Sequence, residues 1–140
     1  MAGTSLGNLQ VLTASDLESE KWLLLAAEAI DEKSGSDTVV IAVGDVFAIT
    51  EYFLITAGRT NRQVKAIVEE VENVIKERGG PAPNRIEGND EFKWVVMDYG
   101  EFLVHVFDSK ERDYYQLERL WSDRPVISFP FSDGVNSPLK

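Results

Sequence analysis

The chain has 140 residues, 44% of them hydrophobic, and a formal charge of −10; that is the size and composition of one domain able to bury its own core. It has no cysteine, which excludes disulfides, thiol catalysis and cysteine-ligated zinc or iron–sulfur centres and fits a cytosolic or organelle interior. An isoelectric point near 4.5 opposes approach to nucleic acid or an anionic membrane and favours a basic protein partner, although acidity also serves solubility alone.

Residues 1–13, MAGTSLGNLQVLT, have no clear period and neither the positive start nor the long apolar centre of a signal peptide, so they read as a flexible arm. No apolar run approaches the roughly 20 residues that cross a bilayer; KWLLLAAEAI is short and interrupted by Glu28. SDLE at 15–18 is a capping-box pattern. It predicts a first helix from Ser15 to about Lys33, apolar at Leu17, Trp22, Leu24, Leu25, Ala29 and Ile30 and stopped by Gly35. DTVVIAVG and YFLITAG are rich in β-branched and aromatic residues and apolar on both faces, as strands of a sheet covered by helices are. TNRQVKAIVEEVENVIKERGG is the clearest helix. Thr60 and Gln63 form its cap, Val64, Ile67, Val68, Val71, Val74 and Ile75 its apolar stripe, and Gly79-Gly80 its end.

PAPNRIEG predicts a proline-rich connection with an edge strand over 85–87. WVVMDYGEFLVHVF, residues 94–107, predicts a hairpin whose turn, DYGE, has Gly100 to supply a positive φ. ERDYYQLERLW predicts a last helix, apolar at Tyr114, Leu117 and Trp121, and residues 124–140 an extended tail. The order is helix, strand, strand, helix, edge strand, hairpin, helix. It predicts an α/β (α+β) fold with a mixed sheet of about five strands flanked by helices.

His105 is the single histidine, so any histidine chemistry must use it. No GxSxG elbow supplies a nucleophile for a triad, and one histidine cannot make a histidine-rich metal site. On its strand His105 shares a face with Leu103 and Phe107; structural core, partner contact and catalysis are all open to it. TAGRTNRQ follows a strand and opens a helix, a geometry that aims N–H groups at an anion. It has one glycine and matches no nucleotide fingerprint, and Glu69, Glu70 and Glu72 beyond it point in different directions on a helix. A well-capped helix start explains the same residues. Asp90 with Glu91 and Asp98 with Glu101 are carboxylate pairs near turns, open to acid–base work, to solvation or, for Asp98, to bonding turn N–H groups. The aromatics are the sharper signal: Trp94, Tyr99, Tyr114, Tyr115 and Trp121 fall on the hairpin and the helix after it, and such residues are enriched at binding hot spots and in cores alike. Trp94 and Asp98, four apart on a strand, face the same way.

DYG followed by VHVF and RDYYQLERLW, preceded by YFLITAGRTNRQV and by IEG with a tryptophan downstream, resembles the ribosomal silencing factor family, also called Iojap-like, over about residues 14–123. YGE stands where the family often has YGD, and Thr60 where serine or asparagine is common. The resemblance implies a silencing factor domain over 14–123, between the arm at 1–13 and the tail at 124–140. It implies a nucleotidyltransferase-like topology without the catalytic aspartates, no enzyme activity, no cofactor and no metal. It further implies a translation repressor that binds a protein of the large ribosomal subunit and blocks joining of the small subunit under nutrient limitation, often as a homodimer when free. Little direct nucleic-acid binding and no membrane are expected, with a cytoplasmic or organelle-interior location. The residues expected to form the protein-binding face are Trp94, Asp98, Tyr99, His105, Tyr115, Glu118 and Trp121, with Glu101 and Glu111 adding acidity. The alternative is a nucleotide-handling enzyme that uses the TAGRT turn.

Overall fold

Helix α1 (Ala14–Glu32) carries apolar residues on several sides over 22–30, burying Trp22, Leu23, Leu25, Ala26, Ala27, Ala29 and Ile30. A segment with so little amphipathic contrast gives no unique core face from its period, and Leu23 rather than Leu24 takes the buried position; Leu24 is half-buried. The computed structural model describes residues 14–44, 50–111 and 126–127, of which 14–19 and 126–127 are described by backbone alone. The cap expected from SDLE therefore lies outside the described side chains. The far end of α1 departs from expectation. Ser34, not Gly35, takes the left-handed conformation, with φ 62°. The Ser34 N–H donates to the Asp31 carbonyl at 3.0 Å and the Gly35 N–H to the Ile30 carbonyl at 2.8 Å, the paired bonds of a Schellman end. Gly35 is needed there for room, because a Cβ would meet the Ile30 side chain and Thr56 Oγ1.

Strand β1 (Ser36–Ala42) pairs antiparallel with β2 (Tyr52–Gly58), with an irregularity between Ser36 and Val39. Helix α2 (Asn61–Glu77) follows, burying Val64, Ile67, Val68, Val71 and Ile75, with Val74 partly buried against the same core. It too ends in a Schellman pair, Gly79 N–H to the Lys76 carbonyl at 3.0 Å and Gly80 N–H to the Ile75 carbonyl at 2.8 Å. Edge strand β3 (Arg85–Glu87) and strands β4 (Trp94–Asp98) and β5 (Phe102–Asp108) come next, β4 antiparallel to β3 and β5 antiparallel to β4. β6 (Val126–Ile127), two residues of the segment read as an extended tail, pairs with β1. The order across the sheet is β3-β4-β5-β2-β1-β6, and the central pair β2–β5 is parallel. This is the mixed sheet expected, five principal strands with a short sixth.

Both helices lie on one face. Val40, Leu54, Val95, Met97, Val104 and Val106 point into the core they share. The other face holds a second cluster, Val39, Ile41, Val43, Phe53, Ile55 and Phe107, with Trp94 and Leu103 packed at its margin. The helix expected from Glu111 starts earlier, at 109. Asp108 Oδ1 accepts from the Glu111 N–H at 3.0 Å, so DSKE is the capping signal there. The rest of the expected segment lies outside the described residues.

Gly79 and Gly88 carry nearly the same φ, +84° and +86°, in different surroundings: nothing lies near a Cβ at Gly79, whereas one at Gly88 would collide with the Trp94 carbonyl. Gly79→Ala is expected to cost only its left-handed strain, about 1 kcal/mol, and Gly88→Ala, which must also displace β4, on the order of 3 kcal/mol. Equal losses in urea unfolding would show that β4 gives way freely beside Gly88.

Candidate functional site

Register decides which side chains share the outer face, the one turned away from α1 and α2. On β4–β5, Trp94 pairs with Phe107, Val96 with His105 and Asp98 with Leu103; on β3–β4, Arg85 pairs with Asp98 and Glu87 with Val96. Side chains alternate along a strand, so Trp94, Val96 and Asp98 form one row, flanked by Arg85 and Glu87 on the edge and by Leu103, His105 and Phe107 inside. Arg85 and Glu87 are exposed; Trp94, Val96, Asp98 and Leu103 are half-buried.

Trp94 rests on an aromatic bed. Its ring stacks on Phe107 with centroids 4.9 Å apart and 24° between planes, and its Nε1–H donates to His105 Nδ1 at 3.2 Å. His105 in turn meets Phe53 edge to face at 4.7 Å. An indole N–H only donates, so His105 Nδ1 accepts and the ring proton sits on Nε2. That Nε2 is sealed without a partner. Burial disfavours the charged imidazolium and pulls the His105 pKa down from 6.5 to about 4.

Asp98 closes the row. Its Oδ1 accepts from the Gly100 N–H at 2.8 Å, which holds the hairpin turn, where Gly100 has φ +89°. Beside it a cavity of about 350 Å³ opens over Val96 and Leu103, walled by Asn84, Arg85, Glu87 and Asp98. Arg85 Nε and Glu87 Oε2 are 3.1 Å apart at its rim, with both side chains largely exposed, so the pair is worth little on its own.

Tyr99 is a correction. It was expected on the same face, but neighbours on a strand point opposite ways, and Tyr99 goes to the helix side. It is 8% exposed, stacks on Phe102 at 5.0 Å, and has its hydroxyl buried without a partner. Burial, helped by the Glu72 carboxylate, raises its pKa. His105, at 6% exposure, lies beneath the face rather than on it. Trp94 and Asp98 lie at opposite ends of β4 on the same face, while Tyr115, Glu118 and Trp121 lie outside the described residues. Val96 joins the row by alternation along β4, whereas Arg85 and Glu87 of β3 and Leu103 of β5 are set beside it only by the pairing register.

At the TAGRT turn and the start of α2, two N–H groups, those of Arg59 and Gln63, are taken up by side chains of the same segment. Arg59 N–H donates to Gln63 Oε1 at 2.6 Å, Gln63 N–H to Thr60 Oγ1 at 3.1 Å and Val64 N–H to the Thr60 carbonyl at 3.0 Å. Gln63 Nε2 reaches across to the Lys33 and Ser34 carbonyls, 3.0 Å each. The turn thus clamps the start of α2 to the end of α1. Asp90 and Glu91 are exposed, and Asp90 Oδ1 accepts from the Glu91 N–H.

Residues 16–138 match the family described as "Ribosomal silencing factor during starvation"; the match continues past residue 123 through most of the tail. A Bacillus subtilis protein called ribosomal silencing factor is 38% identical over 120 residues, covering 86% of this chain and 99% of that one. A mouse protein called mitochondrial assembly of ribosomal large subunit protein 1 is 31% identical over 96 residues, 66% of this chain and 42% of that one. The crystal structure of a Chromobacterium violaceum protein superposes with a TM-score of 0.70 at 30% identity, over 86% of this chain and 98% of that one.

The sealed imidazole makes a prediction about acid. The unfolded chain takes up a proton at His105 near pH 6.5, the folded chain only near pH 4. Stability is therefore complete above pH 6.5 and falls as pH drops from 6.5 towards 4. Between pH 7 and pH 5 the loss from this group is about 2 kcal/mol. Denaturant unfolding at the two pH values checks it against His105→Asn, which lacks the titrating ring and is expected to lose that part of the slope.

Proposed function

The chain belongs to the ribosomal silencing factor family, and on that premise we propose that it represses translation by binding a protein of the large ribosomal subunit and blocking association with the small subunit. The observation that carries this reading is the outer row of β4. A half-exposed tryptophan is stacked and hydrogen-bonded from below, with a carboxylate four residues along on the same face of a sheet. Sheet strands fix side-chain spacing before docking, so little conformational entropy is lost on binding. An aromatic anchor on the same face as an acidic group suits a basic protein surface, and Asp98 offers a carboxylate at a cavity whose wall also carries the Arg85–Glu87 pair.

Area argues that the face extends further. Three strands at about 4.8 Å spacing, each about five residues at 3.3 Å, span roughly 240 Å², while a stable interface buries about 800 Å² on each partner. The chain leaving β5 at Asp108 carries Tyr115, Glu118 and Trp121, and we assign them to the remainder. The reading has the protein act without cofactor or catalysis, as a homodimer when free, wherever its ribosomes are, in cytoplasm or organelle interior. The TAGRT turn reads on the same footing as a capped helix start, with the Arg59 and Gln63 N–H groups engaged by the Gln63 and Thr60 side chains.

Trp94→Ala is expected to weaken binding to isolated large subunits by ~2 kcal/mol, about thirtyfold. Asp98→Asn keeps an acceptor for the turn and removes the charge, and about a tenfold loss is expected. Melting temperatures accompany both measurements. If both variants fold and still block subunit joining at the wild-type concentration, the hairpin is not the working surface. The association rate should also fall as salt rises, because Glu101, Glu111 and Glu118 add to a net charge of −10; a rate flat from low to physiological salt would assign encounter to apolar contact alone.

A further inference from the structure

Position 105 has apolar surroundings. On the outer face it sits between Leu103 and Phe107, pairs with Ile55 and Val96, and packs on Phe53. Leucine or phenylalanine would suit these neighbours, whereas histidine leaves a sealed Nε2–H with no acceptor, a defect that weakens the fold. What histidine adds is an acceptor for the Trp94 indole N–H. Trp94 is only partly buried, and at a surface a water also serves as acceptor for an indole N–H. Unlike a water, however, the bond is anchored in the sheet. Together with the stack on Phe107 it fixes both the plane of the indole and the edge it presents.

We propose that His105 is a positioning residue for the protein-binding face: its Nδ1 holds the Trp94 indole in the one orientation in which the partner meets it, without itself touching the partner. This rests on the reading of the hairpin as that face. It differs from a contact role for His105, and from a packing role that any apolar residue of similar size would fill. The logic is that of a supporting shell, in which a side chain behind the contact residue removes its alternative rotamers before binding.

The test uses the full chain, isolated large subunits and the Trp94 indole N–H resonance, assigned through Trp94→Phe. His105→Phe keeps a ring and loses the acceptor, and His105→Asn returns an acceptor close to the Nδ1 position. His105→Phe is expected to move the indole resonance upfield, to speed its exchange with water at least tenfold, and to weaken binding about tenfold, with a melting temperature no lower than that of His105→Asn. His105→Asn should regain most of the affinity. Replacing Trp94 by its benzothienyl analogue, which has the same shape and no N–H, gives a second route that leaves His105 intact, and it should weaken binding as His105→Phe does. Wild-type affinity in the analogue or in folded His105→Phe, with Trp94→Ala still impaired, overturns the positioning role and leaves the binding face standing. Wild-type affinity in Trp94→Ala as well overturns the face itself. An indole resonance unmoved by His105→Phe removes the tether.

Discussion

The parallel pairing of β2 with β5 is the constraint on which the other elements depend. It runs in register from Tyr52–Phe102 to Gly58–Asp108 at the centre of the sheet. A parallel neighbour cannot be reached by a tight turn, so the chain must leave the sheet and return, and α2 is carried on that excursion. Once the pair is set, Leu54, Val104 and Val106 must face the helices, and Phe53, Ile55, His105 and Phe107 must face away. The hairpin then adds β4 outside β5, and the β4–β5 register lays Trp94 over Phe107 and beside His105. The Gln63 clamp completes the frame from the helix side, since one amide holds the end of α1 to the start of α2.

Features set within a few residues were legible in the sequence. The stripe of α2, its Thr60 cap and its glycine end are all local, and each stands where the period and cap chemistry put it. The Gly100 turn with its Asp98 acceptor is equally local. Where local signals compete, legibility fails. At the end of α1 both Ser34 and Gly35 can follow the helix; the glycine is needed for space against Ile30 and Thr56, which leaves the serine to take the left-handed φ. That choice depends on Thr56, more than twenty residues on. DSKE was readable as a cap, but its aspartate closes a strand as well as opening a helix, and the strand pattern obscured it.

The candidate face shows the same division. That Trp94 and Asp98 face one way follows from alternation alone, and alternation also sends Tyr99 to the opposite side, so grouping it with Asp98 ignored the period of two. Beyond Val96, which residues accompany them does not follow from a single strand. Arg85 and Glu87 belong to the row because β3 pairs with β4 in one particular register, and register between strands is set by packing and turn geometry together. Nor does sequence alone distinguish a histidine beneath a surface from one on it; both alternate identically with Val104 and Val106.

That distinction decides what His105 can do. A general base needs a pKa near the working pH and a path to the proton it takes. Here desolvation holds the pKa at about 4, one nitrogen is engaged by Trp94, and the other is sealed. Each feature that unfits the imidazole for proton transfer makes it a steadier acceptor. Because it resists protonation, its Nδ1 lone pair stays available across the neutral range. Because it is packed between aromatic rings, it cannot swing away from the indole. The only histidine of the chain thus sits where its titration is suppressed, and the property retained is directional: a neutral ring nitrogen bonded to the one aromatic side chain that β4 presents outward.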